Sequence, residues 1–312
     1  MRASAARRSD RVQTPRLAGR TAIIPGVDCG VRLVDYAKAH LATIAVGAVG
    51  PLIDRGAITI NGRTGTMSEP VSPEDVVAVE PAAHAAAFPL VPEVRPLAIS
   101  FEDDDLLVVD KPAGVHVHPM GPYRTGTLMN ALLAHAGATP EQPWAAWRPH
   151  PAHRLDRATS GLVIIAKRAA IHEALRAEFA AHRILRRYRA TVHGQVALAS
   201  GTIDAPLGRD PTFDYRRAVV PLASGGQSAI THYRVVERTA DHTVLELELA
   251  TGRTHQIRVH LASIGHHIVG DTIYASARVT RDDASQAIEL RAIELRFAHP
   301  RDGREITCRV EP

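Results

Sequence analysis

The chain reads as an α+β protein with a mixed, mostly antiparallel sheet flanked by helices, preceded by a small α+β module. Three observations carry this expectation. Strand-like runs come in two patterns: Leu162-Val163-Ile164-Ile165-Ala166 is continuously apolar, whereas Leu245-Glu246-Leu247-Glu248-Leu249 alternates with its leucines inward. Helix-like runs are scattered among the strands and do not follow each of them in turn, as a parallel sheet of βαβ units requires. An Ala- and Pro-rich stretch, 82–97, separates a short front region from a longer rear one and reads as a linker.

Residues 1–20 hold Arg2, Arg7, Arg8, Arg11, Arg16 and Arg20 against Asp10, with few apolar residues, so a disordered basic tail is expected. By side chains the tail is about +5 against a formal net charge of +4 for the whole chain, so the remainder is near neutral. The tail either docks on a polyanion with release of counterions or stays solvated. Residues 21–81 form the front module. Leu33, Tyr36, Ala37 and Leu41 suit one helix face, and a second helix runs through Val49, Leu52 and Ile53 to a Gly56 cap. Ala57 to Gly62 alternates like a strand and ends in Asn-Gly, a strong hairpin signal. Pro73-Glu74-Asp75 is a turn leading into a strand over 76–79.

The rear domain is expected over 98–312. Glu102 to Asp105 is an acidic turn before the strand Leu106 to Val109. A helix carries Leu128, Ala131 and Leu132 over 127–135, and Ile171, Leu175 and Phe179 mark another over 169–182. Tyr188 to Gly194 reads as a strand, 254–264 as a helix stopped by Gly265, and 288–297 as the final strand.

The run His153-Arg154-Leu155-Asp156-Arg157-Ala158-Thr159-Ser160-Gly161 is the most informative stretch. It sets one carboxylate between two guanidiniums, and nearby positive charge favours the charged form of a carboxylate. Thr159, Ser160 and Gly161 allow a tight turn into the apolar strand that follows, which places Asp156 at the mouth of a sheet. A nucleophile or general base fits there. Standing alone, an Arg-Asp pair bracing a loop explains the run equally well.

Three further stretches accompany it in order: Asp110-Lys111-Pro112-Ala113-Gly114-Val115 with His118-Pro119; Arg187-Tyr188-Arg189-Ala190 with Val192 and Gly194; and Thr251-Gly252-Arg253-Thr254-His255-Gln256-Ile257-Arg258-Val259-His260 with Gly270-Asp271. Together these resemble the motifs of the RluA-type RNA pseudouridine synthases over about residues 98–312. One departure is His267, where that family usually has proline, and it is expected to alter the backbone but not the chemistry. Residues 21–81 resemble the S4-type RNA-binding domain through Gly56, Ile58, Asn61, Gly62, Asp75 and Val77, without its usual Ser-Arg pair.

The resemblance implies the pseudouridine synthase fold and an isomerase acting on structured RNA, ribosomal RNA ahead of transfer RNA. It makes Asp156 the catalytic aspartate, Arg258 the basic residue contacting it, and Tyr188 the tyrosine that stacks on the target base. Arg154 would fill the gap left by a flipped-out base, an energetic need of such chemistry; alternatively it is a second ion-pair partner of Asp156. Arg157, Arg187, Arg253 and His255 are candidate RNA contacts. The strip His182-Arg183, Arg186-Arg187 and Arg189 either grips phosphates or is a solvated helix end.

Uridine-to-pseudouridine conversion gains no atom and oxidises nothing, so no cofactor or metal is expected. The pairs His116/His118, His150/His153, His255/His260 and His266/His267 lack metal-site spacing, and Lys111 to Gly114 lacks Walker spacing. Cys29 and Cys308 read as unpaired thiols of a reducing compartment. No apolar run of membrane-spanning length and no signal-peptide core is present, so a cytoplasmic monomer is expected.

Overall fold

The computed structural model describes residues 21–22, 30–87, 89–120, 123–275 and 287–311; the arginine tail and Cys29 lie outside them. The described residues form two compact units, one drawn from 1–92 and 135–148 and one from 93–134 and 149–312.

The front unit runs β1 (Thr21–Ala22), β2 (Val31–Arg32), α1 (Leu33–His40), α2 (Val46–Asp54), β3 (Ile58–Ile60), β4 (Arg63–Thr64), β5 (Pro70–Val71), β6 (Val77–Val79) and α3 (Pro81–Ala86). Strands order β1-β6-β3-β4, with β2 paired to β5 separately. Asn61 and Gly62 join β3 to β4 with φ of 51° and 80°, the two positive values that an Asn-Gly hairpin turn adopts. Leu33, Tyr36, Ala37, Leu41, Val49, Leu52 and Ile53 are buried, as their spacing predicts. Two features depart from expectation. The stretch read as a linker begins inside α3, where Pro81 starts a run of alanines and buried His84 meets Thr43 Oγ1 at 3.0 Å. The front core also includes Trp144, and Arg148 donates to the carbonyls of Lys38 (2.7 Å), Ile44 (2.8 Å) and Leu41.

The second unit runs β7 (Ala98–Glu102), β8 (Leu106–Lys111), α4 (Leu128–His135), β9 (His150–Pro151), β10 (Ser160–Ala166), α5 (Ala169–Ala180), β11 (Leu185–His193), β12 (Ser200–Asp204), β13 (Leu207–Arg209), β14 (Arg217–Val219), β15 (Ile230–Arg238), β16 (His242–Leu249), α6 (Gln256–Ser263), β17 (Leu290–Ala298) and β18 (Glu305–Arg309). Its large sheet orders β12-β15-β16-β11-β17-β10-β8-β7, with β18 on β17 and β9 on β10. Among the described residues β10 and β17 pair in parallel, and the other strand pairs are antiparallel. The strand over 288–297 is therefore not the last; β18 follows it. His267 keeps its place beside β11, where His193 N–H donates to its carbonyl at 3.0 Å and Ile268 bridges to Val192.

Candidate active site

Asp156 lies in the loop between β9 and β10, closed by Thr159 N–H donating to the Asp156 carbonyl at 3.2 Å. Gly161 then enters β10 at φ +114°, and a Cβ there would lie 2.2 Å from the Ala292 carbonyl oxygen on β17. Only glycine permits this close parallel pairing. Lys111, fully buried at the end of β8, ties the loop from beneath: its ammonium donates to the carbonyls of Pro112 and Val115 (2.9 Å each) and Arg157 (3.3 Å). Burial pushes the Lys111 pKa down to about 8, against the opposing charges of Asp156 and Asp110. His153 accepts from Ile164 N–H at Nε2 (3.1 Å), so that nitrogen carries a lone pair; burial and Arg186 together push its pKa to about 3.

Helix α6 brings the opposing charge. Its N-cap His255 adopts a left-handed conformation, φ 59°, ψ 17°. Gln256 fixes the entry: its Oε1 accepts from Arg253 N–H (2.9 Å) and the Thr251 hydroxyl (2.8 Å), and its Nε2 donates to the Ile230 carbonyl (2.9 Å). Arg258 then lies inward, where its Nε and Nη2 donate to both oxygens of Asp271 at 2.8 and 2.7 Å. A fork-to-fork pair of this kind fixes the guanidinium plane. Burial works against the Arg258 charge, yet the Asp271 hydrogen bonds and the Asp271 and Asp156 charges outweigh it and raise its pKa. Its remaining Nη1 stands 3.6 Å from Asp156 Oδ2, and His255 Nε2 is 3.9 Å from the same oxygen. The Asp156 side chain is 18% exposed and that of Arg258 only 5%, so the carboxylate faces open space with the guanidinium behind it.

That space is a cleft of about 600 Å³, within the range of small-ligand sites. Strand β11 forms one wall, and alternation along it sets Arg186 and Tyr188 on the cleft side. Burial pushes the Tyr188 phenol up to about 12, so it stays protonated across physiological pH. Arg186 donates to the carbonyls of Leu249 (3.1 Å) and Thr251 (3.2 Å), which fixes the cleft rim to the strand end.

The structure thus brings Asp156, Tyr188, Arg258, Arg154, Arg253 and His255 to one cleft. Arg154 is exposed there and makes no ion pair with Asp156. Arg157 lies outside the lining, its guanidinium 5.8 Å from the Tyr123 ring centroid. Arg187 also stands apart, because the same alternation turns it to the other face, where it pairs with Glu294 (2.7 Å) and Glu248 (3.7 Å). Three contributors escaped the sequence reading as site residues. Asp271 sits inside a quoted motif, whereas Arg186 appeared only in a basic strip. Tyr274, whose hydroxyl meets His255 Nδ1 at 2.7 Å, carried no local signal. Away from the cleft, Asp103, Asp105 and His299 have metal-compatible spacing among the described residues, but Arg301 and Arg304 occupy those carboxylates.

An acidic side chain aimed into a cleft rimmed by arginines belongs to an enzyme that handles polyanions. Residues 105–263 match the RNA pseudouridylate synthase family. The chain is 41% identical to ribosomal large subunit pseudouridine synthase D of Zymomonas mobilis, covering 70% of each chain. It is 36% identical to the protein of the same name from Neisseria meningitidis serogroup B, over 88% of this chain and 72% of that one. Human RNA pseudouridylate synthase domain containing 1 superposes with a TM-score of 0.59 at 25% identity, covering 70% of this chain and 85% of that one. The chain therefore belongs to the RluA-type RNA pseudouridine synthases and is an isomerase. No helix among the described residues is long and apolar enough to cross a membrane.

Proposed function

We propose that this enzyme isomerises specific uridines in structured RNA, large-subunit ribosomal RNA ahead of transfer RNA, with Asp156 as its catalytic carboxylate. The observation that carries this reading is the Asp156 carboxylate, open to the cleft with the clamped Arg258 3.6 Å behind it. The names of the relatives from Zymomonas and Neisseria support the ribosomal substrate.

In the reaction the bond from the ribose C1′ to N1 of uracil breaks, the detached base turns, and C1′ bonds to C5. The C5 proton leaves and N1 ends protonated, so atoms and charge balance without a cofactor or metal. Asp156 attacks the sugar or the ring, or removes a sugar proton; each path uses an oxygen facing the cleft. Arg258 orients that oxygen, and its bidentate bond to Asp271 keeps it from swinging onto RNA phosphate. Tyr188, protonated and part of the wall, packs against the target base and relays the C5 proton, giving up its own phenolic proton as it receives that one. Arg154, which has no carboxylate partner among the described residues, fills the gap left by the flipped base. The S4-like front unit and the arginine tail add grip on folded RNA.

Pseudouridine mapping across total RNA from cells with and without this enzyme tests the substrate. Loss of pseudouridine at particular uridines of large-subunit ribosomal RNA is expected. Losses confined to transfer RNA, or none at all, would contradict the assignment.

A further inference from the structure

We propose that a second cleft, lined by Arg209, Arg217 and Arg253, binds the phosphodiester backbone of the RNA strand flanking the target uridine. This deepens the function proposed above and rests on it. The cleft, about 500 Å³, lies along the β13–β14 hairpin, with Gln227 and Ser224 on its far side and no carboxylate in its lining. Arg253 and Thr254 line both this cleft and the active-site cleft, so the two share a wall. Arg217 N–H donates to the Tyr274 hydroxyl at 2.8 Å, and the same hydroxyl meets His255 beside Asp156.

The charges in this cleft are not neutralised from within. Arg234, Arg291 and Arg304 each meet a carboxylate within 2.7 Å. Among the described residues, the Arg209 side chain has no polar partner, Arg217 Nη1 donates to the Arg216 carbonyl (3.2 Å) and Arg253 Nε to the Ser228 carbonyl (3.0 Å). Backbone oxygens leave a guanidinium's net charge in place. The nearest acid of the hairpin, Asp210, turns Oδ1 to its own tip, accepting from Thr212 and Phe213 N–H at 2.8 and 3.1 Å. Three uncompensated guanidiniums in a concave wall attract a chain of phosphates, which they contact through forked hydrogen bonds.

The hairpin tip favours a nucleotide strand over a free anion. Phe213 and Tyr215 are 42% and 60% exposed, and the Arg216 guanidinium stacks over both rings at 4.7 and 5.6 Å. Exposed rings beside a basic groove are the arrangement that holds unpaired bases next to their phosphates. A strand threaded here leaves the active-site cleft past Arg253, with its phosphates on Arg217 and Arg209 and a base on Tyr215.

The test is filter binding of full-length protein to large-subunit ribosomal RNA transcribed in vitro, from about 50 to 300 mM KCl, because each lost phosphate contact flattens the salt dependence. Arg209→Gln and Arg217→Gln should each lower the slope of log Kd against log salt by roughly 0.7 to 0.9. Arg209→Lys, which retains the charge, should restore it. Tyr215→Ala should weaken binding at least about fivefold with the slope unchanged. Arg296→Gln, an exposed arginine on β17 outside both clefts, serves as the control and should alter neither. Wild-type slopes in Arg209→Gln and Arg217→Gln would overturn the proposal. If pseudouridine forms and those slopes stay fixed, this subsite alone fails. If the slopes fall as expected while no pseudouridine forms, the subsite stands and the proposed reaction fails.

Discussion

Lys111 illustrates how much of this site rests on buried groups outside the cleft lining. Its ammonium holds three backbone carbonyls at the foot of the Asp156 loop, and burial holds its pKa near 8 against an ordinary 10.5. A lysine whose folded pKa is depressed carries a stability cost that is complete below about pH 8, and this cost fades as pH rises toward the unfolded value near 10.5. This group therefore contributes a rise in stability with pH across that window. Lys111→Met should flatten it, read as urea midpoints at several pH values; an unchanged pH profile would contradict the buried ammonium. Gly161 makes a harsher demand, since its Cβ position coincides with the Ala292 backbone. Gly161→Ala should cost on the order of 4 kcal/mol, visible as lost soluble yield or a lowered urea midpoint. The sequence made the Asp156–Arg258 pair legible because both belong to long motifs. Asp271 was hidden because nothing local announces which arginine it clamps, and Tyr274 because its partners lie 16 and 19 residues away in a packed helix start.

At the scale of elements, the strands with a buried face were readable and the exposed ones were not. Strands β8, β10 and β16 follow their apolar patterns, and the helices α4, α5 and α6 lie within two residues of their expected ends. Strand β15, Ile-Thr-His-Tyr-Arg-Val-Val-Glu-Arg, is mostly solvent-facing; its place is set by backbone pairing to β12 and β16, which leaves no hydrophobic period to read. The segment 135–148 was missed for a related reason. Its attachment is long-range, through Trp144 packed 6.1 Å from Tyr36 and through Arg148 on three carbonyls of 38–44. Trp144 is 3% exposed, so Trp144→Ala should cost the front unit about 3–5 kcal/mol. Hydrogen exchange should show this as faster exchange in α1 and β3, with β10 unchanged. Equal protection in α1 and β3 of the variant would contradict the assignment of this segment to the front core.

Across the whole molecule, positive charge divides by what surrounds it. Arg187, Arg291, Arg301 and Arg304 are bound to carboxylates and brace the sheet. Arg154, Arg209, Arg217 and Arg253 meet no carboxylate among the described residues and line the clefts. In the proposed reading RNA binding is spread over many cations, whereas the chemistry rests on one carboxylate. This separation gives the central claim its sharpest consequence. Asp156→Asn preserves shape, removes the reacting charge and slightly eases repulsion from phosphate. The decisive measurement is tritium release from RNA labelled at C5 of uridine, made together with filter binding of the same RNA. Release should fall by about a hundredfold or more while binding stays within a few-fold of wild type. Release above about a tenth of wild type would contradict the role given to Asp156.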